Sequence, residues 1–521
     1  MTVASRILLC LALLFAVANA GKVLIYNPHV SHSHFVFQNE LADILVDAGH
    51  NVTMLIPELD PEEIKVKTKA NVIIRSPPKN HYNIEMNNQG MFWSGASISM
   101  FSMYSLVEKF KENQNGQCDR LFADEKFAQF MREQKFDIGM LEPIDPCGTM
   151  YFKYINVTNF VTSSPMALYD NYGTIFGLPG RSQCTIVCTD WLPTMGLVER
   201  AKNFFVAYVS AMVFKHSTHY EAISAKYNLD YDYNDGIAGA RYFFLNTEEH
   251  MDFPRPISHK TIYIGGITIK PNTGNGLPED LEKRFESAEK VVLVSFGSIA
   301  KSSVMPDAFK KAFISMFEAY PETTFIWKYE NVSSDPAAHL PNVIISPWIP
   351  QKAILAHPKT IAFITHGGMN SITEVAHAGI PIVAIPLFSD QYRNAKMLEY
   401  RKTAVIVEKA EITPESLIEA MKTVTSDEYR KRAADLASVI GSKPISPKQR
   451  FLMYFEHALA HGGAPDFLDM ETRHFSTIRY YDLDLVAGAL LILLIVLYVF
   501  YRFGKFLVSI VKRNNVKVKK N

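Results

Sequence analysis

One stretch of the chain joins a short apolar run, a glycine pair and a polar helix start. Residues 361–365 are typical of a buried strand. The turn and the predicted helix cap that follow comprise His366, Gly367, Gly368, Asn370 and Ser371. Such a strand-turn-helix unit aims free N–H groups and the helix dipole at one spot, and glycine admits an anion close to the backbone. The stretch therefore predicts a phosphate site, with an ordinary turn as the alternative.

A second buried strand is predicted directly after this helix. The turn at 379–381 leads into an apolar run at 382–386, and Asp390 and Gln391 follow. Open α/β sheets bind ligands at the carboxyl ends of their strands. Both side chains are therefore candidates for ligand contact.

The amino-terminal part repeats the same organisation. We predict a strand at 22–26, a polar turn at 27–34, a helix at about 35–48 ended by Gly49, and a strand at 52–56. This βαβ unit is typical of a Rossmann-like domain. A second such unit begins with a strand from 291, has Ser298 in its first turn, and continues with strands at 325–329 and 343–345.

Three histidines, His29, His32 and His34, lie in the first predicted turn. Spacings of three and two, without acidic or cysteine companions, give little support for a metal site, and we predict none. A turn after the first strand does lie over the cleft, where an imidazole can act as a base. Residues 136–142 predict another strand, with Glu142 at its end and Asp145 close behind.

Composition limits the possible partners and compartments. The 53 basic and 53 acidic residues cancel, so no bulk field attracts nucleic acid.

An apolar run at 7–17 followed by 18-Ala-Asn-Ala-20 predicts a signal peptide cut before Gly21. An uncharged stretch near 485–501 is long enough to cross a bilayer, and the basic residues after it predict a cytoplasmic tail and type I topology. The final residues resemble an endoplasmic reticulum retrieval signal, and the alternative is a basic tail that binds anionic lipid.

A lumenal location has two further consequences. The mature cysteines, at 118, 147, 184 and 188, allow a bridge such as Cys184–Cys188 or Cys118–Cys184, but the pairing is not readable. Asn51, Asn156 and Asn331 each begin an N-x-S/T acceptor. Asn331 is the best candidate because its surroundings are polar, whereas Asn51 precedes an apolar run.

Eight residues between 348 and 391 together resemble the signature of the UDP-glycosyltransferases, above all the membrane-bound UDP-glucuronosyltransferases of animals. These residues are Trp348, Gln351, His366, Asn370, Ser371, Glu374, Asp390 and Gln391. The resemblance implies two Rossmann-like domains facing a cleft, the glycosyltransferase B fold, with a C-terminal transmembrane helix. It also selects His34 over His32 as the catalytic base and Glu142, before a P-C-G motif, as its partner. Many relatives carry Asp there, so Asp145 is the alternative.

The resemblance also implies the chemistry of a UDP-sugar co-substrate without another cofactor. Trp348 can stack on uracil, while Gln351 contacts the base or ribose and Glu374 the ribose hydroxyls. Ser298, His366, Asn370, Ser371 and the Gly367-Gly368 turn suit the diphosphate, and Asp390 and Gln391 suit the sugar. His34 would deprotonate an acceptor hydroxyl, so that displacement inverts the anomeric carbon. If the donor sugar is glucuronate, its carboxylate needs a nearby cation. The candidates are Arg255, Lys260 and Arg393.

The resulting organisation has six parts. They are a signal peptide (1–20), an acceptor-binding domain (21–275), a UDP-sugar-binding domain (285–445), return helices with a membrane-proximal segment (446–483), a transmembrane helix (484–501) and a basic tail (502–521). A linker is predicted at about 254–278. The Met- and Phe-rich stretch at 76–117 predicts a cap over a pocket for small lipophilic acceptors, as in detoxifying conjugation, or else ordinary core packing.

Two other functions are compatible with parts of this pattern. A non-catalytic relative could bind a sugar nucleotide or lipid and partner active transferases, and homo- or hetero-oligomers are possible. A Rossmann dehydrogenase is disfavoured, because no G-x-G-x-x-G follows the first strand. The donor sugar, glucuronate or glucose, and the acceptor stay open.

Overall fold

Two parallel sheets, each covered by helices, form the folded part of the chain. The computed structural model describes residues 20–29, 32–58, 67–76, 92–93, 100–178, 194–213, 219–269, 277–462 and 467–518. The predicted signal peptide lies almost wholly outside these residues. So do Cys184, Cys188, half of the predicted cap and the last three residues of the predicted retrieval signal.

The first sheet has seven strands within the described residues. These are β1 (Lys22–Tyr26), β2 (Asn51–Pro57), β3 (Asn71–Arg75), β4 (Ile138–Leu141), β5 (Phe160–Ser164), β6 (Phe243–Leu245) and β7 (Thr261–Tyr263). Their order is β3-β2-β1-β4-β5-β6-β7, and every pair is parallel. The chain order reverses between β1 and β4, which opens a crevice at their carboxyl ends.

Eight helices accompany this sheet in the described residues. They are α1 (His32–Asp47), α2 (Met100–Ala123), α3 (Glu125–Glu133), α4 (Cys147–Tyr154), α5 (Asp170–Ile175), α6 (Leu197–Val213), α7 (His219–Lys226) and α8 (Tyr233–Ala238). The α1 helix begins three residues earlier than predicted, so His34 lies in its first turn and not in a loop. Apolar periodicity marks only the buried turns of a helix, and a polar first turn gives no such signal.

The second sheet has six parallel strands in the part of the chain that the structure describes. They are β8 (Lys290–Ser295), β9 (Thr323–Lys328), β10 (Val343–Ser346), β11 (Thr360–Thr365), β12 (Ile382–Ala384) and β13 (Ala404–Ile406). Their order is β10-β9-β8-β11-β12-β13, so the reversal lies between β8 and β11. The inner strands β8, β11 and β12 and the neighbouring β9 are mostly buried, as the apolar runs predict for a sheet covered on both faces, whereas the edge strands β10 and β13 are partly exposed.

The remaining helices flank the second sheet or leave it. They are α9 (Glu279–Ser287), α10 (Asp307–Glu318), α11 (Gln351–Leu355), α12 (Met369–Ala378), α13 (Gln391–Tyr400), α14 (Pro414–Val424), α15 (Asp427–Gly441), α16 (Pro447–Ala460), α17 (Thr477–Tyr480) and α18 (Leu483–Val518). Phe451, Phe455 and Ala458 of α16 are buried in the core of the first domain. The chain therefore crosses back to the first domain after completing the second.

The predicted fold class, two Rossmann-like domains and a C-terminal transmembrane helix, is confirmed. Within α18, residues Leu483–Ile510 are long and apolar enough to cross a bilayer, with a mean hydropathy of 2.7. The helix continues to Val518, so it includes most of the predicted basic tail. The first and second domains are referred to below as the N-domain and the C-domain.

One local prediction was wrong, and one of the disulfide pairings that the sequence left open is excluded. The predicted linker at 254–278 contains β7, which pairs with β6 as the last strand of the first sheet; a three-residue strand gives too short a periodic signal to be recognised. The structure joins Cys118 of α2 to Cys147 of α4, with a Cα–Cα distance of 5.7 Å, which excludes a Cys118–Cys184 bridge. The pairing depends on how α2 packs on α4, which spacing along the chain does not reveal.

Residues 92–93 of the N-domain lie in the C-domain core. The Trp93 ring is fully buried against Phe296, and its indole N–H donates to the Lys301 carbonyl at 3.0 Å. Phe92 packs on Phe388, with ring centroids 4.3 Å apart. This contact anchors the chain segment between β3 and α2 to the second domain.

Candidate functional site

His34 and Glu142 meet at the reversal point of the first sheet. The pairing of β1 with β4 aligns Tyr26 with Leu141, so the residues that follow these two strands lie side by side. The His34 Nδ1 atom is 2.8 Å from Oε1 and 3.0 Å from Oε2 of Glu142. A carboxylate at Nδ1 holds that proton and leaves Nε2 as the basic nitrogen.

Charges from both domains act on His34. Burial lowers the pKa of the imidazole, but the charge and hydrogen bond of Glu142, together with the charge of Asp390, outweigh burial and raise it. Asp390 belongs to the C-domain, and its own pKa is raised by burial, with the Asn394 hydrogen bond and the His34 charge opposing. The two domains therefore bring a base and a second carboxylate to one cleft.

Asp145, the alternative partner for His34, forms hydrogen bonds with other groups. Its carboxylate accepts from the Tyr26 hydroxyl at 2.7 Å and from the Cys147 amide at 3.0 Å. Burial raises the pKa of Asp145 to about 6, although the two hydrogen bonds act to lower it. The longer side chain of Glu142 thus reaches His34, while Asp145 fixes the turn that carries Glu142.

The predicted phosphate turn lies at the reversal point of the second sheet. Gly367 has a φ of +82°, in the left-handed region that glycine adopts readily. The His366 ring packs between two other glycines: a Cβ on Gly368 would lie 2.7 Å from it, and a Cβ on Gly297 2.9 Å. Only glycine fits at either position without displacing the ring.

His366 is neutral at physiological pH. Burial, together with the charge of Lys328, lowers its pKa to about 4. It can donate a hydrogen bond but adds no positive charge. The N-cap of α12 is Gly368, so Asn370 and Ser371 lie inside the first turn, and the prediction that they cap the helix was wrong. The glycine takes the extended cap conformation, with φ −62° and ψ 146°.

The Ser298 loop adjoins this turn. β8 pairs with β11, which aligns Ser295 with Thr365 and brings the two following turns together. Ser298 is exposed and follows Gly297, whose φ is +83°. Its hydroxyl is therefore accessible at the edge where the phosphate turn opens.

Lys328 is a residue of this site that the sequence reasoning missed. Its ammonium donates to the Gly297 carbonyl at 2.6 Å and lies 5.6 Å from the centre of the Trp348 ring. Burial and the nearby charge of Lys301 lower the pKa of Lys328, while the charge of Glu330 opposes them. Its place at the carboxyl end of β9 was a signal that could have identified it.

The uridine candidates lie beside the phosphate turn. The Trp348 side chain is 72% exposed, which leaves a ring face available for stacking. Gln351 donates to Glu374 at 2.7 Å and to the Ser371 hydroxyl at 3.2 Å. Burial raises the pKa of Glu374, although the Gln351 hydrogen bond and the Lys352 charge oppose this.

The two sugar candidates begin α13. Asn394 links Asp390 to the phosphate turn, since its amide donates to Asp390 Oδ2 at 2.7 Å and to the Gly367 carbonyl at 3.1 Å. The side-chain oxygen of Gln391, Oε1, accepts hydrogen bonds from the backbone amides of Leu387 and Phe388 at 2.9 and 3.1 Å. Only the Gln391 NH₂ group is therefore left to contact a ligand.

The segment after β6 ties the N-domain to the C-domain. Asp252 forms a buried ion pair with Arg393 of α13, at 2.5 Å. Glu248 pairs with Lys443, and the Asn246 amide donates to Asn370. The group Glu248, Glu249 and His250 lies close enough for a metal, but Lys443 and Arg450 already pair with its carboxylates.

The three cations considered for a sugar carboxylate have protein partners. Arg255 binds Asp170 at 3.0 Å, Lys260 donates to the Ala238 carbonyl at 2.6 Å, and Arg393 binds Asp252. Moving any of them to a ligand would leave a buried group unpaired.

The three glycosylation candidates all lie on the surface. Asn331 precedes a short 3₁₀ turn and Asn156 follows α4. Asn51 is the first residue of β2, and its side-chain oxygen accepts from Asn71 at 3.3 Å.

Comparisons with known proteins agree with this geometry. The family described as "UDP-glucoronosyl and UDP-glucosyl transferase" matches residues 21–520. The chain is 28% identical to the mouse UDP-glucuronosyltransferase 1A7, covering 95% of this chain and 93% of the mouse protein. It is also 28% identical to the human 2-hydroxyacylsphingosine 1-beta-galactosyltransferase, covering 91% and 86%.

Solved structures show the same fold. A UDP-glucose:anthocyanidin 3-O-glucosyltransferase in complex with UDP superposes with a TM-score of 0.56 at 15% identity, over 85% of this chain and 99% of that one. The glycotransferase of kitacinnamycin gives a TM-score of 0.59 at 19% identity, over 84% and 99%.

Proposed function

The chain belongs to the UDP-glucuronosyl and UDP-glucosyl transferase family, and from this premise we propose that it moves a hexosyl group from a UDP-sugar to a hydroxyl of a small lipophilic acceptor. The product is a β-glycoside, formed with inversion in a conjugation reaction of the detoxifying type. The observation that carries the proposal is the 2.8 Å contact of His34 with Glu142 at a cleft that Asp390 also faces.

The acceptor is activated from the N-domain side. His34 Nε2 takes the hydroxyl proton while the hydroxyl oxygen attacks the anomeric carbon. Glu142 holds Nδ1–H and stabilises the imidazolium that forms, as in other His–carboxylate pairs. The bond from the anomeric carbon to the diphosphate breaks on the opposite face, and its electron pair leaves with UDP.

The donor is held from the C-domain side. Trp348 stacks on the uracil, and Gln351 and Glu374 bind the uridine, with Glu374 on the ribose hydroxyls. Ser298, His366, Asn370, Ser371 and the start of α12 donate hydrogen bonds to the diphosphate as its charge grows. Asp390 and Gln391 orient the sugar, the latter through its NH₂ group. Because these groups stabilise the leaving UDP, we expect the transfer to need no divalent cation.

We further propose where the reaction takes place. The mature chain would be a single-pass type I protein of the endoplasmic reticulum membrane, with both domains lumenal and the basic end cytoplasmic. Exposed Asn331, Asn156 and Asn51 would then be available for glycosylation, Asn331 first. The apolar span Leu483–Ile510 within α18 supports the anchor.

The donor sugar could be glucose or glucuronate, and the cations available to bind a sugar carboxylate help to distinguish them. Arg255, Lys260 and Arg393 are each engaged by protein groups. A glucuronate carboxylate without a cationic partner would be costly to bury. Among the described residues, the engagement of these three cations favours UDP-glucose as the donor.

The test is UDP release by microsomes that contain the protein, with UDP-glucose and UDP-glucuronate offered separately against a panel of phenols. Turnover with one donor identifies the sugar, and a β-configured product establishes inversion. UDP binding without turnover on either donor would instead favour a non-catalytic relative that binds sugar nucleotides.

A further inference from the structure

A side chain of the N-domain contacts one of the candidate diphosphate ligands of the C-domain. Asn246 follows β6 at the carboxyl edge of the first sheet and is 1% exposed. Its Nδ2 atom lies 3.3 Å from Oδ1 of Asn370, in the first turn of α12. We propose that Asn246 is a positioning residue of the donor site that fixes which end of the Asn370 amide faces the diphosphate. This inference rests on the proposed function.

The direction of the Asn246 amide is set by a backbone group. Its Nδ2 atom also donates to the Pro165 carbonyl, at 3.2 Å. A carbonyl oxygen only accepts, so the nitrogen end of Asn246 must face Pro165 and therefore Asn370 as well. The Asn246 backbone amide is bound to the Ser164 carbonyl at 2.9 Å, which fixes the residue itself.

The direction of the Asn370 amide follows from that of Asn246. An amide side chain presents one oxygen acceptor and one NH₂ donor group. Because the Asn370 oxygen accepts from Asn246, its NH₂ group is the end left for a ligand. Toward a diphosphate a donor is favourable, whereas a reversed amide would present its oxygen to a negative charge.

The surrounding contacts hold the two domains where this hydrogen bond can form. The Asp252–Arg393 pair and the Glu248–Lys443 pair lie on the same segment as Asn246, within six residues of it. The donor site therefore takes one of its orienting groups from the opposite domain. Affinity for UDP then depends on the N-domain, although every predicted UDP ligand belongs to the C-domain.

A double-mutant cycle tests the inference. The dissociation constant for UDP is measured for the wild type, Asn246→Ala, Asn370→Ala and the double variant, together with the KM values for donor and acceptor. We expect Asn246→Ala to weaken UDP binding about 3- to 10-fold, as the loss of one oriented hydrogen bond implies. The donor KM rises in parallel, while the acceptor KM stays unchanged. The double variant matches Asn370→Ala, since Asn246 acts only through Asn370.

Two further variants separate orientation from folding. Asn246→Asp has only acceptors, so it turns the Asn370 NH₂ group toward itself, and we expect weaker UDP binding than in Asn246→Ala. Asn159→Ala is the matched control. Asn159 is a buried asparagine whose amide donates to the Ala458 carbonyl at 3.0 Å, remote from the donor site. It should lower thermal stability and leave UDP binding unchanged.

The outcomes are distinct. Additive effects of the two alanine substitutions, or wild-type affinity in Asn246→Ala, would overturn the inference while leaving the proposed function intact. A wild-type protein that fails to bind UDP would overturn both.

Discussion

His34 is acted on by a carboxylate from each domain, Glu142 through a hydrogen bond and Asp390 through its charge. Both favour the protonated ring and together outweigh the effect of burial, so the pKa of His34 is raised. A general base must be neutral before it can accept a proton. The rate should therefore fall as the pH falls through the raised pKa of His34.

Replacing Glu142 tests this electrostatic assignment. Glu142→Gln removes the charge that raises the pKa of His34, so the acidic limb of the pH–rate profile should move to lower pH. The rate at the optimum should fall by about 10²-fold or more, because the imidazolium loses its stabilising partner.

The measurement is kcat against pH for the wild type, Glu142→Gln and Glu142→Asp. Asp retains the charge, so its acidic limb should stay near that of the wild type even if its rate is lower. An unchanged acidic limb in Glu142→Gln would assign that limb to another group. His366 is not that group, because its pKa of about 4 keeps it neutral above pH 5.

At the scale of strands and helices, some parts of the site can be predicted from the sequence. The strand, glycine turn and helix around Gly367 were predictable because their signals occur within a dozen residues and imply one geometry, and phosphate binding there stays a prediction. Two strand ends at one sheet edge predicted that polar residues after β1 and β4 lie together, but the choice of His34 and Glu142 came from the resemblance to the UDP-glycosyltransferases. The turn therefore needs only local pattern, whereas the His34–Glu142 pair also needs the family resemblance.

Other parts of the site depend on contacts that no local pattern encodes. Asn246 meets Asn370 across 124 residues. The Cys118–Cys147 bridge requires the packing of α2 on α4. The helix N-cap at Gly368 was assigned to the wrong residues because asparagine and serine are the commoner side-chain caps.

The packing of Trp93 gives a prediction at the scale of elements. This N-domain residue fills space in the C-domain core against Phe296, which precedes the Gly297-Ser298 turn. Trp93→Ala should reduce the free energy of unfolding by about 3–5 kcal/mol, as for other fully buried aromatic residues. It should also weaken UDP binding, because the turn loses its support.

Thermal unfolding of the purified protein, with and without UDP, provides the measurement. Phe205→Ala is the control, since that aromatic ring is 62% exposed and its loss should change the melting temperature little. A Trp93→Ala protein as stable as the wild type would mean that residues 92–93 do not anchor the two domains.

For the whole molecule, the fold keeps the candidate site apart from the C-terminal apolar helix. Both sheets and every candidate site residue precede Leu483, and the apolar stretch follows it. The segment before the anchor packs on the N-domain, where Thr472 and Tyr480 both donate to the Gly177 carbonyl at 2.8 and 3.2 Å. The anchor thus joins the body through a defined contact.

A stop codon after Tyr481 should separate the two functions. We expect the shortened protein to be extracted from membranes by alkaline carbonate, and to bind UDP as the full chain does, because the Gly177 contacts remain. Immunoblots of the membrane and soluble fractions, with UDP binding measured on the latter, provide the readout. Retention in the membrane pellet would point to a second membrane-binding surface.

The central claim is that His34 is the base of a UDP-sugar transferase. Its most direct test compares wild type and His34→Ala for UDP release under saturating donor and acceptor, alongside the dissociation constant for UDP. We expect turnover to fall by about 10²-fold or more in His34→Ala while UDP binding is unchanged, because the proposed base acts on the acceptor and the proposed nucleotide site lies in the other domain. Turnover of His34→Ala at the wild-type rate would contradict it.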